Sequence, residues 1–315
     1  MATKMVNHKF EHECKEIHDS WGRLNGLVRA LASRTRLERQ QIRETYKAIY
    51  GEDLVKRLQE AEEAENGKLC AVLSMWMLDL HERDGVIARE ALLQQGNTNY
   101  RALVEIFVGR KSSQILLIKQ AYQSRFRRQL DQDIINIEPP NPFQKILVAL
   151  VASHKAHHAD VSQHIAKCDA KRLYETGEGN SGAIEEAVVL EILSKRSIPQ
   201  LKLTFSIYKL IYGHDYTKSL KRLNSGEFEN ALKMVIKCIY KPPNYYTKTL
   251  YGIIEGRTTD ERGLGRVVVS RAEMDLGEIQ RVYKSKYGIE LRDAICEGLP
   301  SGDYRDFFLF VLATK

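Results

Sequence analysis

The chain has 315 residues, 43% hydrophobic and 28% charged, a balance that suits a globular protein with sizeable cores. No run approaches the roughly 20 apolar residues of a membrane span, and Met1 to Glu13 lacks the apolar core of a signal peptide. The formal net charge is +7, which suits an anionic partner without choosing between lipid and nucleic acid. Five cysteines, Cys14, Cys70, Cys168, Cys238 and Cys296, are scattered with no C-x-x-C spacing. That indicates neither a zinc site nor a disulfide framework, and it suits the cytosol.

Residues 1–20 read as a short tail entering a polar helix, FEHECKEIHDSW. A first module spans 21–92 and carries Leu31, Arg34, Ile42, Tyr46, Tyr50, Gly51 and Leu54. Steps of four keep these side chains on one helical face. From Arg34 the offsets +8, +12, +16, +17 and +20 recur three more times. Arg110 leads to Ile118, Tyr122, Phe126, Arg127 and Leu130; Arg196 leads to Thr204, Tyr208, Tyr212, Gly213 and Tyr216. Arg271 leads to Ile279, Tyr283, Tyr287, Gly288 and Leu291. An apolar residue stands three before each arginine: Leu31, Phe107, Leu193 and Val268. The four +12 tyrosines are expected to face the interiors of their own modules.

The second module spans 93–153, and its EPPNP run breaks a helix ahead of FQKILVALV. Residues 154–182 read as an irregular link dividing the four modules into two pairs. Its His154, His157, His158 and His164 have no cysteine or carboxylate at a spacing that completes a metal site. The third module spans 183–241 and the fourth 247–315. The arginines are 76, 86 and 75 residues apart, longer than a solenoid repeat, so each module should hold several helices around its own core.

Four such modules, with segments such as SRTRLERQQIRETYKAIYGEDL, MLDLHERD and VVVSRAEMDLGEIQRVYKSKYG, resemble the annexin core, in particular the short-tailed plant type. The resemblance covers roughly residues 18–315. It implies an all-α fold in which four homologous modules of about five helices each form a curved disc. It also implies a cytoplasmic, peripheral membrane protein that binds acidic phospholipid through calcium held in loops on the convex face. The matching ERD charges, here Glu82, Arg83 and Asp84, pair across modules near the disc centre in that family.

Calcium takes six to eight oxygens, mostly carboxylate and carbonyl. The family supplies them from a G-x-G-T loop and an acid about forty residues later. The glycines permit backbone angles that other residues resist. No module here carries the full loop. Module one keeps Trp21 and Gly22 in SWGRLN, with Glu62 forty residues on and Glu63 and Glu65 beside it. Module two, GNTNYRAL, offers no loop. Module three has SGAIEE, and forty past Gly182 stands Arg222, the wrong sign. Module four has GRTTDE: Gly256 survives, Thr258 replaces the second glycine, and Glu297 lies 41 past Gly256. The candidate ligands are therefore Gly22, Glu62, Gly256, Thr258 and Glu297. Trp21, Arg23 and Arg257 would face lipid. These eroded loops leave two readings: weakened calcium bridging through modules one and four, or a scaffold that attaches to membranes or proteins without calcium.

No catalytic centre is legible. The D-x-x-G at Asp260 to Gly263 lacks a phosphate-cradling loop. The histidine linked with peroxidase-like activity in plant members is here Ser33. Cys238 reads as a buried, inert thiol. A basic excess without a recognised module gives no specific nucleic-acid partner.

Overall fold

A computed structural model describes residues 8–21, 24–61, 67–93, 98–152, 160–180, 184–222, 226–258, 260 and 262–314. These residues form twenty α-helices and no strand, in four sets of five. The first set is α1 (Glu11–Asp19), α2 (Leu24–Leu31), α3 (Arg36–Tyr50), α4 (Leu54–Glu60) and α5 (Gly67–Met77). The second is α6 (Leu80–Leu93), α7 (Tyr100–Val108), α8 (Ser112–Phe126), α9 (Leu130–Ile135) and α10 (Pro142–Val151). The third is α11 (Gln163–Glu175), α12 (Glu186–Lys195), α13 (Ile198–Tyr212), α14 (Tyr216–Arg222) and α15 (Glu227–Tyr240). The fourth is α16 (Pro242–Ile254), α17 (Gly263–Arg271), α18 (Leu276–Tyr287), α19 (Leu291–Gly298) and α20 (Asp303–Ala313).

The repeated stripe is the buried face of the third helix in every set. Ile42, Ile118, Thr204 and Ile279 at +8 are fully buried, as are the four tyrosines at +12. The +16 ring leans on the +12 ring at 4.8, 5.0, 4.8 and 5.0 Å between centroids. At +17 each of these helices ends on a left-handed residue: Gly51, Arg127, Gly213 and Gly288, with φ of 74°, 56°, 75° and 77°. Such a residue closes a helix through its own N–H, and glycine does so without a Cβ penalty. The stripe thus records a helix length as well as a face.

Each marker arginine sits at the corner before its third helix and closes on an acid. Arg34 meets Glu13 at 3.4 Å, Arg110 meets Asp84 at 2.5 Å, Arg196 meets Asp169 at 2.7 Å and Arg271 meets Asp275 at 2.6 Å. Three of these acids come from the first helix of the same set. Asp84 therefore pairs within the second helix set, whereas Arg83 reaches the Val269 carbonyl of the fourth set at 3.4 Å.

Two expectations are corrected. The stretch 154–182 is not irregular throughout: it contains α11, whose Ala166, Asp169, Ala170 and Leu173 are buried against the third set. The chain also does not divide at that stretch. One compact unit comprises 1–83 and 243–315, the other 84–242. Apolar faces decide this. In unit one α2 packs on α20 and α5 on α17, so closely that a Cβ on Gly265 would fall 2.3 Å from Val72. Trp76 lies at its centre, donating from Nε1 to the Leu31 carbonyl at 2.8 Å under the Arg39 guanidinium. In unit two α10 packs on α7, α12 and α15. The expected break before FQKILVALV holds: Pro142 opens α10, and Asn141 accepts from the Phe143 N–H.

Candidate functional site

The module-four loop begins where α16 stops. The Arg257 N–H donates to the Gly252 carbonyl at 2.8 Å, and the Gly256 N–H donates to Ile253 at 3.1 Å. Gly256 itself has φ 63°. This pair of bonds is a Schellman closure, which needs a left-handed residue where Gly256 stands. Gly256, Arg257 and Thr258 are all exposed. Thr258 Oγ1 accepts from the Asp260 N–H at 3.2 Å, which fixes the far side of the turn.

Glu297 is exposed in the last turn of α19, and its neighbour Gly298 locates it. A Cβ on Gly298 would fall 3.1 Å from the Ile254 carbonyl, two residues before Gly256. The fold therefore brings the end of α19, which carries Glu297, against Ile254, two residues before Gly256. Among the described residues no three His, Cys, Asp or Glu side chains converge as a metal site. Calcium here would draw on loop carbonyls, water and a single carboxylate, a donor set of hard oxygens that suits the ion at low protein charge.

Arg257 stays exposed while its side chain lies along the loop. Its guanidinium lies 5.0 Å from the Tyr251 ring centre and 3.7 Å from Glu255. Asp260 is turned inward to Arg266 at 2.8 Å, so the D-x-x-G run holds an internal ion pair.

In module one, Gly22, Arg23 and Glu62 lie outside the described residues. Trp21 is half-buried, with the Arg57 guanidinium 4.0 Å from its ring centre. The same guanidinium donates to the Tyr46 hydroxyl at 2.6 Å and to Glu52 at 2.7 Å, and lies 3.1 Å from His18 Nδ1. Trp21 thus has one face on a fixed cation, a contact that the W-G motif did not announce.

Module three answers its lost acid differently. Arg222 donates to Glu178 at 2.7 Å, tying the end of α14 to the turn after α11. His214 Nδ1 donates to the Tyr212 carbonyl at 2.7 Å, which leaves Nε2 facing Glu178 at 2.8 Å and Ser219 at 2.9 Å. Burial works to raise the Glu178 pKa, but hydrogen bonds from Ser219, Arg222 and His214 outweigh it and hold the carboxyl at about 2. A fixed ion pair therefore stands where the family pattern would place a calcium acid.

Sequence reasoning missed this network, yet a periodic signal for it exists. Counted from the marker arginines, +18 and +23 give Glu52 and Arg57, Arg128 and Asp133, His214 and Ser219, then Ile289 and Ala294. The +23 side chain meets the +12 tyrosine hydroxyl in the first three sets, at 2.6, 2.5 and 2.8 Å.

A groove of about 390 Å³ in unit one is lined by Arg36, Arg39, Arg43, Asp53, Asp79 and Glu82. Arg36 pairs with Asp79, Arg43 with Asp53 and Glu82, and Arg39 with Glu273, so these cations are engaged internally. Of the histidines in 154–164, His154, His157 and His158 lie outside the described residues. His164 is exposed beside Cys168 at 3.7 Å. Cys238 is buried, as its place on the inner face of α15 requires.

The annexin family model matches this chain four times, at residues 19–73, 88–150, 168–235 and 245–311. Annexin A13 of Mus musculus is 34% identical over 91% of this chain and 88% of its own length. Annexin-like protein RJ4 of Fragaria ananassa is 31% identical over 94% and 92%. The solved structure of annexin III aligns with a TM-score of 0.85 at 31% identity, covering 98% of this chain and 96% of that one.

Proposed function

The chain belongs to the annexin family, and from that premise we propose that it binds acidic phospholipid surfaces from the cytosol as a non-enzymatic peripheral protein. Calcium-dependent phospholipid binding is the family's property. In this chain the bridge is weakened and confined to modules one and four. Gly22 and Glu62 would serve the first site; Gly256, Thr258 and Glu297 would serve the second. Trp21, Arg23 and Arg257 would stand at the lipid face. No helix among the described residues is long and apolar enough to cross a membrane, which agrees with attachment at the surface.

The observation that carries the reading is the close approach of Gly298, at the end of α19, to Ile254, two residues before the left-handed Gly256. It supports a calcium held by exposed carbonyls and Glu297. The weakening follows from Thr258: without a second glycine, Gly256 is the one left-handed residue among the loop's described residues, so fewer carbonyls are preset outward. Affinity falls with ligand charge and rigidity, and both are reduced here.

The test is co-sedimentation with phosphatidylserine-containing vesicles, with calcium or with EGTA, over a salt series. Binding is expected in calcium at concentrations above the micromolar range, with a part that survives EGTA at low salt. Failure to bind such vesicles at any calcium concentration would overturn the reading.

A further inference from the structure

The two compact units differ in charge. Unit one, 1–83 with 243–315, holds 25 Lys and Arg against 25 Asp and Glu; unit two, 84–242, holds 23 against 16. The whole excess of +7 therefore belongs to unit two. Every residue suited to calcium, from Gly22 to Glu297, belongs to unit one.

Within unit two, α14 shows where such charge could act. Tyr216, Ser219 and Leu220 are buried and fix its inner face. Lys218, Lys221 and Arg222 are exposed, at positions i, i+3 and i+4, and so share the outer face. Arg222 is held by Glu178 at 2.7 Å, and that carboxyl is also engaged by His214. Nearby Asp215 is taken by Lys209 at 3.3 Å. Among the described residues Lys218 and Lys221 have no ion-pair partner. Their face ends where α14 meets the turn after α11, the end of the module that corresponds to the Gly256 loop of module four.

We propose that unit two carries a calcium-independent docking surface for anionic bilayers, centred on Lys218 and Lys221 of α14 with Arg222 as its fixed edge. The proposal rests on the reading of the chain as a membrane-binding protein. It adds a division of labour: the neutral unit takes calcium, and the basic unit meets phosphate head groups directly. A bilayer fits better than nucleic acid because the described tyrosines around α14 are buried or already stacked. Tyr208 and Tyr216 are buried, and Tyr212 is stacked on Tyr174 at 4.0 Å.

Each lysine near an anionic surface should contribute roughly fivefold in affinity. The experiment measures binding to phosphatidylserine–phosphatidylcholine vesicles in EGTA at low salt. Wild type is compared with the double variant Lys218→Gln/Lys221→Gln and with Lys47→Gln/Lys248→Gln, which removes equal charge from exposed sites of unit one. The first variant should lose roughly 25-fold and the second little more than twofold, with both retaining wild-type melting curves. Equal losses in the two variants, or no loss in the first, would overturn the assignment. So would a single-stranded oligonucleotide that binds more tightly than the vesicles and depends on the same two lysines. If wild type binds only with calcium, this surface is refuted while the calcium reading stands.

Discussion

Tyr122 and Tyr283 occupy the same place in their modules but face different chemistry. The Tyr122 hydroxyl donates to Asp133 at 2.5 Å, and that carboxylate also takes Arg128 and Arg89. Opposite Tyr283 the same two offsets carry Ile289 and Ala294. Removing the Tyr122 hydroxyl should therefore cost about 1–3 kcal/mol, because a charge-assisted hydrogen bond is lost and Asp133 loses a donor. Tyr283→Phe should cost little. Urea unfolding of the two variants decides it, and equal losses would show that the +18 and +23 pairing does not matter energetically. Glu178 allows a pH test at the same scale. Its carboxyl sits near 2 in the folded chain against an ordinary 4.5. A depressed acid contributes stability that is complete above its unfolded pKa and is lost as pH falls through its folded one. The difference in Tm between wild type and Glu178→Gln should hold down to about pH 4.5 and shrink towards pH 2. A difference that grows on acidification would contradict the ion-pair account.

Among the helices, the left-handed cap is the device that repeats most faithfully and fails once. Gly51, Gly213 and Gly288 end α3, α13 and α18, whereas Arg127 ends α8 with φ 56°. A side chain in that region costs about 1–2 kcal/mol relative to glycine. Arg127→Gly should therefore stabilise unit two by about 1 kcal/mol, and Gly213→Ala should destabilise it by a similar amount, read from urea midpoints. Loss of stability in Arg127→Gly would mean that the exposed arginine supplies more than its strained backbone removes. The stripe was legible in sequence because helix faces and helix lengths both leave a period. The first helix of the third set was not. α11 carries Ala166, Asp169, Ala170 and Leu173 on its inner face, a pattern with few large apolar residues. It was therefore read as part of an irregular link, although α11 packs along α13. The pairing of first with fourth module was equally hidden, because contacts such as Gly265 against Val72 join residues far apart in the chain. At the candidate site Gly256 and Glu297 are proposed ligands that the family's loop pattern picks out of the sequence, but the ion pair of Arg222 with Glu178 needed the fold to bring two remote residues together.

For the whole molecule, two independent attractions to a membrane should add, and they should separate cleanly. On the proposed reading the calcium bridge would draw on Glu62 and Glu297, one in module one and one in module four. Replacing both with glutamine removes a carboxylate from each candidate site while keeping its size, so the calcium-dependent part of vesicle binding should disappear. The part set by basic side chains should remain, because neither substitution touches unit two. That remainder acts through charge across water, which salt screens over about 8 Å at physiological strength. It should therefore fall steadily as salt rises, in wild type and in Glu62→Gln/Glu297→Gln alike. In wild type, calcium should restore part of the binding at moderate salt, because ions held directly between carbonyls and lipid phosphate are screened much less. Co-sedimentation over a grid of calcium and salt reads both parts at once. A wild type that binds tightly only with micromolar calcium and ignores salt would show that Thr258 does not weaken the loop and that the charge of unit two plays no part in attachment.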